Sequence, residues 1–278
     1  MTELGVIIRD LDDHITTFST PFYRFAPFGY RKFCAVGNRA TAIRLSDGKV
    51  LLLNPIQLDQ QIERKLTSLG GVHYIASDLG HHLYISQYTS RWPEAKTIGV
   101  PGLASKRKDV HWDFINGAEG QSLTPEDAFN FTSDIETVLF TGFITHAVAW
   151  YHKESRTLIQ SDLMMNLPCT EQYAPSSSHC GLFSQLFGQQ ANPWSVWFRV
   201  LIYYVASVNY RLMRQDVKRV VEWEIDRVIP CHGDVFEERC EEAWKSVYKW
   251  FLEGNPERGV LWRFKEPFMR QMQRAFLL

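Results

Sequence analysis

Thiolate pairs, long apolar runs and an excess of charge of either sign are all missing from this chain. Its five cysteines (Cys34, Cys169, Cys180, Cys231 and Cys240) are an odd set without Cys-x-x-Cys spacing, which argues against a disulfide framework and against a zinc site built of thiolates. They read as reduced, mostly buried thiols. No apolar run approaches the roughly 18 residues that a membrane-crossing helix needs. The opening Met1-Thr2-Glu3-Leu4-Gly5 lacks the basic-then-apolar order of a secretory signal, so a cytoplasmic location is expected. The net charge is -1, which gives no global pull toward nucleic acid or anionic lipid. No internal repeat or low-complexity tract stands out. Against these absences stands a globular composition, 45% hydrophobic and 14% aromatic over 278 residues. A chain of this size buries about 75% of its unfolded surface.

The first third alternates between strand and helix signals. Ile15–Thr20, Ala40–Leu45 and Val50–Leu53 are β-rich, and Asp47-Gly48 supplies a hairpin turn between the last two. Leu58, Ile62, Leu66 and Leu69 repeat at helical spacing before Gly70-Gly71. A short buried strand at Val72–Ala76 is followed by a polar turn. His81-His82 then opens a helix expected to run to Arg91, and Thr97–Pro101 forms the next strand. This β-α-β-α-β order predicts a layered α/β fold. Further strands are expected at Ile135–Phe140, Ala147–Tyr151, Arg156–Gln160 and Arg227–Pro230, with a last helix over 237–252.

Two segments stand apart from this alternation. Residues 163–193 are irregular, and Trp194, Trp197, Phe198, Leu201, Ile202 and Val205 then stripe a helix. That helix serves the core, a pocket wall or a membrane-facing surface. The Lys106-Arg107-Lys108 run reads as solvated loop. The chain divides into a body, 1–256, carrying a 163–213 loop-helix insertion, and a tail, 257–278. In the tail Arg258, Arg263, Lys265, Arg270 and Arg274 interleave with Trp262, Phe264, Phe268, Met272 and Phe276. Such a tail packs on the body or on a second copy of the chain, or touches a membrane surface.

Histidine and aspartate recur at the ends of the expected strands: His81-His82, His146, Asp162 and His232. Imidazole and carboxylate are ligands of borderline metals such as zinc. Taken singly they say little, and His14, His73, His111, His152 and His179 lie in contexts that read as structural. Repetition of the strand-end context is the signal.

In these blocks the chain resembles the metallo-β-lactamase fold, whose pattern is a strand followed by His-x-His-x-Asp-His, then a His, an Asp after a hairpin and a closing His-Gly. Tyr74–His82 takes the first place, with His82 at the last His and His81 where the Asp stands. Thr141–His146 matches the second block, Arg156–Asp162 the third and Arg227–Gly233 the closing one. The resemblance covers roughly residues 15–252 and implies a four-layer αββα sandwich. Ser77 and Leu79 occupy the positions of the first two histidines, and Asn54 replaces a strand-end acid. One metal rather than two is therefore expected. More narrowly, the chain is similar to a branch in which a His-His pair follows this strand and Pro93-Glu94-Ala95 follows the helix.

The resemblance implies a mononuclear centre on His82, Asp162 and His232, completed by His146 or by His81. Two or three imidazoles with one carboxylate leave an open position for water, which zinc would acidify and present as hydroxide. A His81 turned away from the metal would serve the oxyanion or act as general acid-base, and Asp78 and Asp234 are further proton-transfer candidates. His81 and Asp162 are thus the expected catalytic residues. Zinc is the expected ion, with iron(II) or manganese as alternatives. The activity expected is metal-dependent hydrolysis of a small organic ester, lactone or thioester. The alternatives are a non-catalytic member that binds a ligand or partner and a mononuclear iron enzyme. Nucleic acid is not an expected partner.

Overall fold

The computed structural model describes residues 5–22, 36–174 and 190–254. The 257–278 tail, Cys34, Cys180, His179 and the 175–189 part of the insertion lie outside them.

Among the described residues, eleven strands form two sheets. The first has the order β1-β2-β3-β4-β5-β6-β7 and the second β11-β10-β9-β8. β1 (Ile7–Asp10), β2 (Ile15–Thr20), β3 (Asn38–Arg44) and β4 (Val50–Leu53) pair antiparallel, whereas β4, β5 (Tyr74–Ala76), β6 (Lys96–Gly99) and β7 (Phe114–Ile115) pair parallel. In the second sheet β8 (Ile135–Leu139), β9 (Val148–His152) and β10 (Thr157–Gln160) are antiparallel, and β11 (Arg227–Pro230) runs parallel to β10.

Period-2 alternation divides each strand between two cores. On β4, Leu51 and Leu53 enter a core with Val148, Trp150, Ile159 and Ile229 of the second sheet. Their neighbours Val50 and Leu52 face the other way, onto Ile62 and Leu66 of helix α1 (Gln60–Ser68) and Ile85 and Tyr88 of α2 (Ile85–Arg91). The far face of the second sheet buries Val138, Ala149 and Leu158 against Met213, Val217 and Val220 of α3 (Tyr210–Val221) and Ala243 and Trp244 of α4 (Cys240–Val247). The result is helix, sheet, sheet, helix. Burying one such side chain contributes about 1.5–3 kcal/mol, so the alternation itself fixes which strand ends face one another.

Three local expectations shift. The helix expected from His81 begins at Ile85, because Gly80 N and His81 N donate to the Asp78 carboxylate and hold a turn instead. The last helix is interrupted at Tyr248, between Cys240–Val247 and Lys249–Leu252. The 196–206 helix widens to a π-helix over Leu201–Ala206. It is apolar on both faces: Phe198, Ile202 and Tyr203 are buried, whereas Trp197 and Val205 are exposed.

Candidate metal centre

Three strand ends meet at one edge of the sandwich. β5 leads into Ser77–His82, β10 into Ser161-Asp162 and β11 into Cys231-His232-Gly233. The closing turn is held by Arg39, which is fully buried in β3. Its Nη1 donates to Pro230 O at 2.6 Å and Gly233 O at 2.7 Å, on either side of Cys231-His232. Gly233 takes φ +96°, and a Cβ there would lie 2.1 Å from Asn166 O, so only glycine closes this turn.

His81, Asp162 and His232 come together at the base of a cleft of about 240 Å³. The two Nε2 atoms are 3.4 Å apart. Asp162 Oδ1 is 3.3 Å from His232 Nε2 and 3.8 Å from His81 Nε2. The point equidistant from the corners of such a triangle is about 2.0 Å from each, the bond length zinc takes to imidazole nitrogen and carboxylate oxygen.

The opposite ring nitrogens are engaged as well. His81 Nδ1 is 2.9 Å from Asp78 Oδ1, and His232 Nδ1 donates to Gly37 O at 2.7 Å. Imidazoles that bind metal show this arrangement, with one nitrogen anchored to a carboxylate or carbonyl and the other lone pair directed at the ion. The three ligand atoms thus fit a divalent metal. Burial opposes protonation of His81, but Cys231, Asp78 and Asp162 outweigh it and raise its pKa well above the ordinary histidine value. His232 is raised in the same sense, against burial, by Cys231 and Asp162.

His82 and His146 sit differently. His82 is buried, with Nδ1 3.3 Å from Arg107 Nη1 and its carbonyl accepting from the same guanidinium. His146, at φ +50°, donates from Nδ1 to Pro101 O at 3.2 Å, and burial lowers its pKa. Neither lines the cleft. Asp234 caps the 170–173 turn, accepting from Thr170 Oγ1 and Glu171 N. Leu79, where the fold's pattern has a histidine, lines the cleft as an apolar wall, and Ser77 faces a small internal cavity beside Asn54 and Asn116.

One participant, Cys231, carried no signal in the sequence. Cys231 Sγ lies within 4.8 Å of a ring nitrogen of both His81 and His232. Spacing rules look for a second cysteine and so pass over a thiol whose partners are the adjacent His232 and the sequence-distant His81. Burial alone would raise the Cys231 thiol, but the two histidines bring it below its ordinary value. Asp78, expected as a proton-transfer candidate, stands behind His81. It accepts from His81 and from Ser161 Oγ, the residue before Asp162, and so ties two strand ends together.

No family model and no curated protein matches the sequence. Solved structures do. A diflavin flavoprotein fragment from Nostoc sp. superposes with a TM-score of 0.61 at 10% identity, over 91% of this chain and 98% of that one. The chain is a divergent metallo-β-lactamase-fold protein. The metallo-β-lactamase from Hirschia baltica gives a TM-score of 0.56 at 12% identity over 89% of this chain and 98% of its own. The metal-soaked Flv1 flavodiiron core from Synechocystis sp. gives 0.60 at 13%, over 89% and 61%. The αββα layering expected from the His-Gly and Asp162 blocks is therefore the fold observed.

Proposed function

We propose that this metallo-β-lactamase-fold chain is a metal-dependent hydrolase of a small organic ester, lactone or thioester, with a single divalent ion held by His81, Asp162 and His232. The observation that carries the reading is the triangle of Nε2, Nε2 and Oδ1 atoms at 3.3–3.8 Å with both Nδ1 atoms anchored behind it. This set takes His81 into the ligands and leaves His82 and His146 as supports of the surrounding loops. An ion there supplies Lewis acidity toward an acyl carbonyl and acidifies water near neutral pH.

The protein's own groups do the rest. Asp78 and Gly37 O fix the tautomer and aim of the two imidazoles. Phe22, Pro55, Leu79, Leu83 and Tyr84 line the cleft with apolar surface suited to an uncharged acyl group. Zinc suits the distances. Two imidazoles and one carboxylate equally suit iron(II), and the likeness to a flavodiiron core favours iron as the second reading.

Elemental analysis with ester turnover tests the proposal. One equivalent of metal, with turnover lost on chelation and in His232→Ala, is expected. Protein that takes up no metal refutes it, two equivalents refute the mononuclear centre, and oxygen-dependent turnover on bound iron replaces hydrolysis with redox chemistry.

A further inference from the structure

Asn38 opens β3 directly after Gly37, the residue whose carbonyl anchors His232. It is 8% exposed and lines the cleft beside His81, Asp162 and His232. Its amide orientation is fixed by two donors on Oδ1: the Arg39 backbone N–H at 3.0 Å and the Cys231 thiol at 2.9 Å. A backbone N–H is always a donor, so a flipped amide would set two N–H groups against each other. Nδ2 is then the end left over. Among the described residues no group bonds to it, and it is not among the polar atoms sealed from solvent. A donor that no protein group engages, on a residue that lines the cleft, is available to a molecule bound there.

We infer that Asn38 is a catalytic residue that donates from Nδ2 to the carbonyl oxygen of the substrate, and that Cys231 is a positioning residue whose thiol holds the amide in that orientation. The inference rests on the hydrolase reading. In the step it serves, the oxygen of water bonds to the acyl carbon and the carbonyl π pair moves onto oxygen. That oxyanion accepts the Nδ2 hydrogen bond. When the pair returns, the carbon–oxygen or carbon–sulfur bond of the leaving group breaks, and the proton given up by water ends on the leaving alcohol or thiol. Asn38 loses no proton. A preorganised donor of this kind is worth about 10²–10³ in kcat. The role also accounts for the Cys231 sulfur lying against Asn38 Oδ1 at 2.9 Å and Arg39 O at 3.3 Å.

The test is p-nitrophenyl butyrate turnover by zinc-loaded wild type, Asn38→Asp, Asn38→Ala, Cys231→Ala and Cys231→Ser, with zinc content measured on each. Asn38→Asp and Asn38→Ala should lower kcat about 10²–10³-fold with KM and zinc content nearly unchanged. Cys231→Ala should lower kcat less, and Cys231→Ser, whose hydroxyl also donates, should recover most of that loss. A second readout is independent of turnover: the Asn38 side-chain amide signal in ¹⁵N-labelled protein, assigned by its loss in Asn38→Asp, should move downfield on adding a trifluoromethyl ketone whose hydrate mimics the oxyanion. If kcat of the Asn38 variants stays within threefold of wild type, or the amide signal does not respond, the assignment to Asn38 is wrong while the metal hydrolase stands. If wild type binds zinc but turns over no ester, both fall.

Discussion

Replacing Asp78 by asparagine removes one charge from behind His81 while keeping its shape. Asp78 Oδ1 receives Gly80 N at 2.8 Å, His81 N at 3.0 Å and His81 Nδ1 at 2.9 Å. An asparagine carbonyl can accept all three, and Ser161 Oγ can turn to accept from the new amide. The turn should survive. The negative charge, which strengthens the His81 Nε2 lone pair, does not. Loss of such an outer partner lowers metal affinity about 10–100-fold, or about 1.4–2.7 kcal/mol at 1.36 kcal/mol per decade. The substitution retains the hydrogen bond, so the lower end applies, and Asp78→Ala, which also frees Ser161 and two backbone N–H groups, should reach the upper end. Competition for zinc against a chromophoric chelator measures this, with thermal unfolding of the metal-free proteins as control. In a His81→Ala background Asp78→Asn should cost little more, because both changes act on one ligand. The reasoning fails if Asp78→Asn binds zinc within twofold of wild type, or if its effect is undiminished without His81.

Three further outcomes follow from the same geometry. Arg39→Met breaks a buried ion pair with Glu171 at 3.3 Å and frees the carbonyls of Pro230 and Gly233; a loss of about 3–5 kcal/mol in urea unfolding is expected, and a loss under 1 kcal/mol would contradict the clamp. Gly233→Ala drives a Cβ into Asn166 O at positive φ, so it should destabilise by more than about 1 kcal/mol and weaken zinc binding together, which thermal unfolding with and without zinc resolves. On α3, burial raises the Asp216 carboxyl to about 7, against the opposing effect of Arg219. A folded-state pKa above the unfolded one means that the stability linked to the neutral acid is full below about pH 4 and is lost as pH rises toward 7. Asp216→Asn should accordingly raise Tm at pH 8 and leave it nearly unchanged at pH 4; an equal shift at both would show that the carboxyl does not titrate on folding.

The strand ends were legible because strand periodicity and turn residues are local properties. Val50–Leu53 declares itself by composition, and the hairpin at 153–156 delivers Asp162 by simple counting. His81 was harder to place. Its ring direction depends on a side-chain turn at Asp78 that outcompetes the first turn of a helix, and such competition between side-chain and backbone acceptors is decided by three-dimensional fit. Asn38 carried no signal at all, since an asparagine before a β-branched run reads as a turn residue. Its role arises only where β3 and β11 bring Arg39 N and the Cys231 thiol to the same oxygen.

The absent histidines bear on the chemistry as much as the ligands that are present. Leu79 stands in the cleft as an apolar wall next to His81, and Ser77 turns from it toward Asn54 and Asn116. A second ion beside the first would meet hydrocarbon on this side. On the proposed hydrolase reading, the charge it would have provided for a developing oxyanion has to come from elsewhere, and a neutral amide donor held by a thiol and a backbone N–H lines the same cleft. An active site with one cation and one fixed dipole stabilises less negative charge than one with two cations. On the proposed hydrolase reading it therefore suits substrates whose transition states carry a single oxyanion, as those of esters, lactones and thioesters do.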